Sequence, residues 1–430
     1  MKSQPRSTPR ASWKLPAVAL ATLLVAASAL GFAQPTVVPV GTLLDYTGAL
    51  AEFGPAHQNA AEMAAGQLND AAIEVFGGPI MRLIHEDSAT SAATGVDRAR
   101  KLVDADGVPA ILGSLASGVT INVAESVTIP AQVLQISPAS TSPLLSVLED
   151  DGYLFRTTSS DALQGVVAGQ LAIGEIFDDY AFTSAATIYE NSPYGQGLSN
   201  AFAAAFEARG GTVTAQVAHP TEPQPTYAAQ LEQVLAGNPE VVLAIGYPGQ
   251  ATVYLAEARD LFGFTNFQYV DGTQSELIID VMGDDLEGKY GTSPGSDPEW
   301  AGFQQYAADY QALYGSVPPL PFMDSAYDAV VVIGLAIAKA HVDGVEATGT
   351  VLRDNVRAIA NPPGETVGVN DFVRALELLA AGEAIAYTGA ASEVVFDENG
   401  DVVTAIEIWR YEGGTIVPVM MRTADVIPFE

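Results

Sequence analysis

Hydroxyl groups gather where apolar runs stop. The segment "VLQISPASTSP", Val133 to Pro143, passes from strand-like residues into Ser137, Ser140, Thr141 and Ser142, and "AILGSLASGVT" ends the same way with Ser117. Such rows can do three things: attack as nucleophiles, hold an anion with hydroxyls and backbone N–H groups, or cap a turn. A nucleophilic serine needs a base. The four histidines are His57, His85, His219 and His341, and none stands in a context that would serve Ser117 or Ser140. Ser117 also lacks the flanking glycines of a hydrolase elbow. No histidine pair has metal-ligand spacing on a helix, and "HED" at 85–87 reads as a solvated strand end. "YGQGLSNAF" carries Gly195 and Gly197 but has Asn200 where a dinucleotide loop needs its third glycine. The expectation is a protein that is not an enzyme and uses no metal or cofactor.

Two later strand ends carry complementary chemistry. "EVVLAIGYPGQ" delivers Tyr247 and "FQYVDGT" delivers Asp271. A carboxylate facing a hydroxyl-lined anion site suits a zwitterion, since one end of the ligand finds donors and the other an acceptor. Ordinary helix capping beside a solvated aspartate explains the same pattern, so both readings stand at this point.

The elements that must position these groups alternate in type. Apolar runs "TVVPVGTLL", "PIMRLIHED", "VPAILGS" and "VLQIS" alternate with helix-length segments, the first placing Ala56, Ala60, Met63, Leu68, Ala71 and Val75 on one face. That order predicts βαβ units and a parallel sheet, with a short helix from about Ser142. A second series starts near Tyr153 and Ser159 and includes "FTSAATIYE", "EVVLAIGY" and "FQYVDG". The fold expected is therefore α/β: two lobes, each a mainly parallel sheet flanked by helices, with a cleft between them. Ligands of such sheets bind beyond the carboxyl ends of the strands. Farther on, "FMDSAYDAVVVIGLAIAKA" predicts a helix too broken by Asp324 and Asp328 to span a membrane, and "SEVVFDENGDVVTAIEIWRYEGG" predicts a hairpin turning at Asn399-Gly400.

A chain of 430 residues suits two domains. Its first residues carry Lys2, Arg6, Arg10 and Lys14 with no acid, followed by the apolar run "LPAVALATLLVAASALGFA". This order predicts a secretory signal peptide over residues 1–33 cleaved after Ala33, with Ala29 as a second candidate and an uncleaved anchor as the alternative. With no cysteine there is no lipid anchor on a cysteine, no disulfide and no thiol chemistry. The expected location is periplasmic. Against 18 Lys+Arg stand 51 Asp+Glu, a formal net charge of −33, and removal of the signal would make the chain more acidic still. Such a surface repels phosphate backbones, so no nucleic-acid partner is expected.

The ordered series "VGTLLDYTGALAEFGPAHQNAAEMA", "GSLASGVT", "ISPASTSPLL", "YLFRTTSSDALQG", "YENSPYGQGL", "YDAVVVIGLAI" and "VVFDENGDV" resembles the periplasmic leucine/isoleucine/valine-binding proteins, the type I solute-binding components of ABC importers. The resemblance covers nearly the whole chain after the signal. It implies two lobes joined by three hinge crossovers, with 34–158 and 288–398 in lobe 1, and 159–287 and 399–430 in lobe 2. Ser117 matches the serine that meets the ligand carboxylate in that family. Ala139, Ser140 and Thr141 match the segment that binds the zwitterion, Tyr247 a tyrosine near the α-carbon, and Asp271 the acid that receives the ammonium. Phe53, Tyr194 and Tyr327 match positions near the side-chain pocket. Phe53 stands where branched-chain binders typically have tyrosine, and Asp271 where they can have glutamate; the family's disulfide is missing. The region 341–391 is longer than in the leucine binders. The implied function is capture of an amino acid, branched-chain or otherwise apolar, by a monomer that hands it to a membrane permease. Ligand sensing of an amide, urea or aromatic acid is the alternative, and a secreted serine hydrolase the more distant one.

Overall fold

The computed structural model describes residues 34–423. The expected signal peptide, residues 1–33, lies outside the described residues.

Strands β1 (Val38–Leu44), β2 (Met81–Asp87), β3 (Ala110–Gly113), β4 (Leu134–Ser137) and β5 (Leu154–Arg156) form one sheet in the order β2-β1-β3-β4-β5, every pair parallel. The inner strands β3 and β4 are buried along their whole length and β1 over most of it, which is why they read as continuous apolar runs, whereas the edge strand β2 is mostly half-buried. A second sheet contains β6 (Ser184–Glu190), β7 (Thr212–His219), β8 (Val241–Ile245), β9 (Phe267–Val270) and β10 (Tyr290–Gly295). The short parallel pair β11 (Glu365–Val367) and β12 (Ile385–Tyr387) lies apart. Strands β13 (Ala405–Glu412) and β14 (Thr415–Arg422) complete the second sheet, order β14-β13-β10-β9-β8-β6-β7, with antiparallel pairing only at β10-β13 and β13-β14.

Helix Gly54–Phe76 buries Ala56, Ala60, Met63, Leu68 and Ala71 as the spacing predicts; Val75 is half-buried. It packs beside helix Met323–Val342, which is long and apolar enough to cross a membrane but is enclosed in the first lobe's core. Asp328 inside this helix is satisfied there, accepting from Tyr387 Oη (2.8 Å), Ala390 N (2.7 Å) and Ala391 N (2.8 Å). Burial nevertheless pushes its carboxyl up to about 7.

The chain passes between the sheets three times, after β5, after β10 and before β13. The first and third passages are pinned together, with Ser159 Oγ donating to Thr404 O (2.9 Å) and accepting from Thr404 N (2.6 Å). Arg156, only 1% exposed, forks onto Asp401 with Nε–Oδ1 2.7 Å and Nη2–Oδ2 2.8 Å.

Three expectations are corrected. The boundary at 288 assigns Tyr290–Gly295 to the first lobe, whereas β10 pairs in the second sheet and the return follows it. The hairpin turns at Gly413-Gly414, both with positive φ (60° and 74°), and not at Asn399-Gly400. The earlier turn is real, with Gly400 at φ 80°, but it lies against the end of β5, where its carbonyl accepts from Arg156 N (3.0 Å). In place of a helix from Ser142 there is one 3-10 turn, Leu145–Val147.

Candidate ligand-binding site

The loops leaving β3 and β4 lock together before anything else can bind them. Ser137 Oγ donates to Ser114 O (2.7 Å) and accepts from Ser140 N (3.0 Å). Ser140 Oγ is turned inward, toward Leu115 O (3.1 Å) and Thr120 Oγ1 (2.8 Å). Arg156 Nη1 donates to the carbonyls of Ser140 (3.3 Å) and Ser142 (3.1 Å), so the buried guanidinium holds the whole turn. Ser117, the first residue of helix Ser117–Val123, accepts from Ser142 N (3.2 Å) and keeps its own proton available.

The second lobe supplies acid. Asp271, at the end of β9, is buried and accepts on Oδ1 from Gln164 Nε2 (2.8 Å) and Tyr194 Oη (3.0 Å). Burial pushes its carboxyl up to about 6, and those two hydrogen bonds oppose the rise. Asp161, first residue of helix Asp161–Ala172, is fully buried, with the Thr141 hydroxyl the neighbour placed to donate to its carboxyl. Burial, and then repulsion from Asp271, hold its carboxyl well above the usual range. Burial likewise lifts Glu190, at the end of β6, to about 7. The rings of Tyr194 and Tyr247 stack with centroids 5.4 Å apart and planes 5° from parallel. Gly272 allows this pair to close in, since a Cβ there would lie 3.0 Å from Tyr194 Oη and 2.4 Å from Gly246 O.

These groups converge on a small cavity between the lobes, about 20 Å³, lined by Ser117, Ala139 and Phe53 from one side and Tyr194, Tyr247 and Asp271 from the other. Leu50, Leu115, His57 and Phe322 complete the wall. Around it the lobes touch: Gly249 N donates to Ala49 O (3.1 Å), Ser142 Oγ to Pro193 O (2.9 Å), and Glu276 N to Glu52 Oε1 (3.0 Å). His57 is held neutral, its pKa lowered to about 4 by burial, with Nδ1 against Phe53 O (2.8 Å).

Six of the nine residues singled out in the sequence thus line one cavity. Ser140 and Thr141 stand behind it; Thr141 Oγ1 is buried beside the Asp161 carboxyl, and its carbonyl accepts from Asp161 N (2.7 Å). Tyr327 is elsewhere. It lies in the first lobe's core, where its hydroxyl bonds Gln67 and its ring meets Tyr306 edge-on at 5.4 Å. The aromatic residue this helix lends to the cavity is its N-cap, Phe322. Asp161 and Arg156 escape sequence reading because each sits in ordinary dress, an acid opening a helix and a basic residue ending a strand. The signal available was the lone acid after the hydroxyl row "TTSSD".

The family model described as periplasmic binding protein matches residues 37–414. The chain is similar to a chemotactic signal transduction system substrate-binding protein, BasB of Halobacterium salinarum, at 27% identity over 389 residues, 86% of this chain and 84% of the relative. It is also 27% identical over 400 residues to the Leu/Ile/Val-binding protein BraC3 of Rhizobium johnstonii, covering 93% of this chain and 98% of that one. Among solved structures, the leucine binding protein LivK of Thermotoga maritima matches with a TM-score of 0.74 at 21% identity, over 90% of this chain and 99% of that chain. That likeness speaks for the fold.

Proposed function

This chain belongs to the periplasmic binding protein family, in its leucine/isoleucine/valine-binding-like group of type I fold, and we propose that it is an extracytoplasmic solute-binding protein that captures an amino acid by lobe closure and delivers it to the permease of an ABC importer. The observation that carries this reading is the opposition across the cavity. Ser117 and the braced loops after β3 and β4 offer donors to a carboxylate, while Asp271 offers a buried acceptor to an ammonium, with the Asp161 carboxyl electrostatically coupled to it. Tyr194 and Tyr247 close the second-lobe side. Leu50, Phe53 and Leu115 give the ligand an apolar wall where its side chain leaves the α-carbon, which suits branched-chain and other apolar amino acids. Closure then joins two half-sites that are each incomplete alone. No chemical step belongs to this reading, and the working unit is a monomer.

A thermal-shift screen of the chain lacking residues 1–33 against amino acids, amides, urea and aromatic acids tests it, because a ligand bound only to the folded state raises apparent stability. Stabilisation by amino acids supports the reading; stabilisation by aromatic acids or urea alone rejects it. The name of the Halobacterium relative favours a second reading in which the same ligand is captured for a chemotactic receptor. Binding of the liganded chain to a receptor ectodomain in place of a permease would select that one.

A further inference from the structure

Two cavities share one side chain. Phe322 lines the central cavity and also a second hollow of about 290 Å³, bounded by segment 317–324 and by residues of β10, β13 and β14. The central cavity has room for about one water and none for an amino acid side chain. Leu50, Phe53, Leu115, Tyr194 and Tyr247 are packed into an apolar core that runs across both lobes, so within the closed arrangement they yield less readily than a wall with space behind it. Behind Phe322 there is space instead. Its backbone is left-handed at φ 66°, uncommon for a bulky residue and the sort of local outlier found at ligand clamps.

The hollow has a definite chemistry. Val317, Leu320 and Ile416 make part of its wall, while the carboxyls of Asp324 and Glu407 enter from opposite lobes. Tyr306 Oη, Ser293 Oγ and Gln274 Oε1 line it too, each buried and without a hydrogen-bond partner. No lysine, arginine or histidine is among its lining residues. Burial, and then repulsion from Asp324, push Glu407 up to about 7 against a hydrogen bond from Gln274, and Asp324 accepts from Ser296 Oγ and Ser325 N (2.8 Å), so each acid keeps only part of its accepting capacity free. Two mutually repelling acids beside three unused polar atoms are a site for a positively charged hydrogen-bond donor.

We propose that this hollow receives the far end of the ligand, with Phe322 as the gate, and that this end is a terminal ammonium or guanidinium carried on an apolar stem, as in lysine and arginine. The inference rests on the amino-acid reading above for the α-carboxylate and α-ammonium, and replaces the purely apolar side chain favoured there with a basic one on an apolar stem. The stem lies along the apolar wall and the charged head reaches the acids, the division of labour usual for long basic side chains. Closure would then be read at two points, since Asp324 belongs to the first lobe and Glu407 to the second.

Titration calorimetry of the chain lacking residues 1–33 with L-arginine, L-lysine, L-norleucine and L-leucine tests this without any variant. A basic amino acid binding at least tenfold more tightly than norleucine is the expected result. Glu407→Gln should narrow that ratio at least tenfold, and Phe322→Trp, which refills the gate, should weaken arginine more than leucine. Leucine or norleucine binding as tightly as the basic amino acids overturns the inference and leaves the amino-acid reading intact. Failure of all four to bind overturns both.

Discussion

The two halves of the cleft differ in how much of their polar chemistry is already spent. On the first-lobe side Ser137 and Ser140 spend their hydroxyls bracing the loops and Arg156 clamps the loop carbonyls, which leaves the Ser117 hydroxyl free to donate. On the second-lobe side the Asp161 carboxyl has little beside it but the Thr141 hydroxyl, and Asp271 accepts two hydrogen bonds on one oxygen. A neutral, braced surface can meet a carboxylate with little rearrangement. The acids are costly to bury and gain only when a cation arrives. The first lobe is thus built as a preorganised platform, and the second as the half whose energy is recovered on closure.

That contrast can be attacked from its strongest point downward. Arg156→Met should unfold the platform: it strips a buried guanidinium from Asp401 and from two carbonyls, and loss of one partner of such a pair costs roughly 3–5 kcal/mol. Chemical denaturation should show this as a lower midpoint; an unchanged midpoint would mean that the fork on Asp401 braces nothing. Asp271→Asn should leave folding intact and weaken amino-acid binding about 100-fold, since truncating one member of a buried charge pair costs about 2–5 kcal/mol. Calorimetry that finds equal affinity would remove Asp271 from the ammonium's site.

The pH dependence follows with a smaller effect. Asp271 titrates near 6 in the free site, and an arriving ammonium needs it ionised, so a proton must leave when binding occurs below that value. Affinity should rise with pH up to about 6 by as much as about tenfold per unit, and the Asp161 carboxyl, held well above the usual range by burial and by Asp271, carries a shallower rise beyond it. Glu190, raised to about 7 on the same side, would extend the rise, whereas His57, lowered to about 4, does not titrate in the window. Affinity that falls between pH 5 and 7 would contradict the assignment of charge. The smallest effect is expected at Tyr327→Phe, which should leave affinity unchanged and cost about 1 kcal/mol of stability through the lost bond to Gln67. A drop in affinity would return Tyr327 to the site.

Much of the fold was legible because parallel strands covered on both faces leave long apolar runs, as in "VPAILGS" and "EVVLAIGY". Strand β10 was not, since "YGTSPG" holds two glycines, a proline and no apolar run; its place is set by the partners Tyr269 and Trp409. The turn at Asn399-Gly400 was visible, yet a turn signal says nothing about whether its flanks pair. The site was legible where a polar residue follows a strand, as at Asp271 and Tyr247. It was illegible where helix rotation decides, as with Phe322 and Tyr327, five residues apart on opposite duties. Hydroxyl identity also misled at Ser140, because a row of hydroxyls does not reveal which will be turned inward as braces.

The most direct test of the two-sided site is calorimetric titration of the chain lacking residues 1–33 with an α-amino acid and with the same acid lacking its amino group. The account predicts binding of the first and at least a hundredfold weaker binding of the second, because the second lobe's acids would then face an apolar methylene. Equal affinity for the two would contradict it.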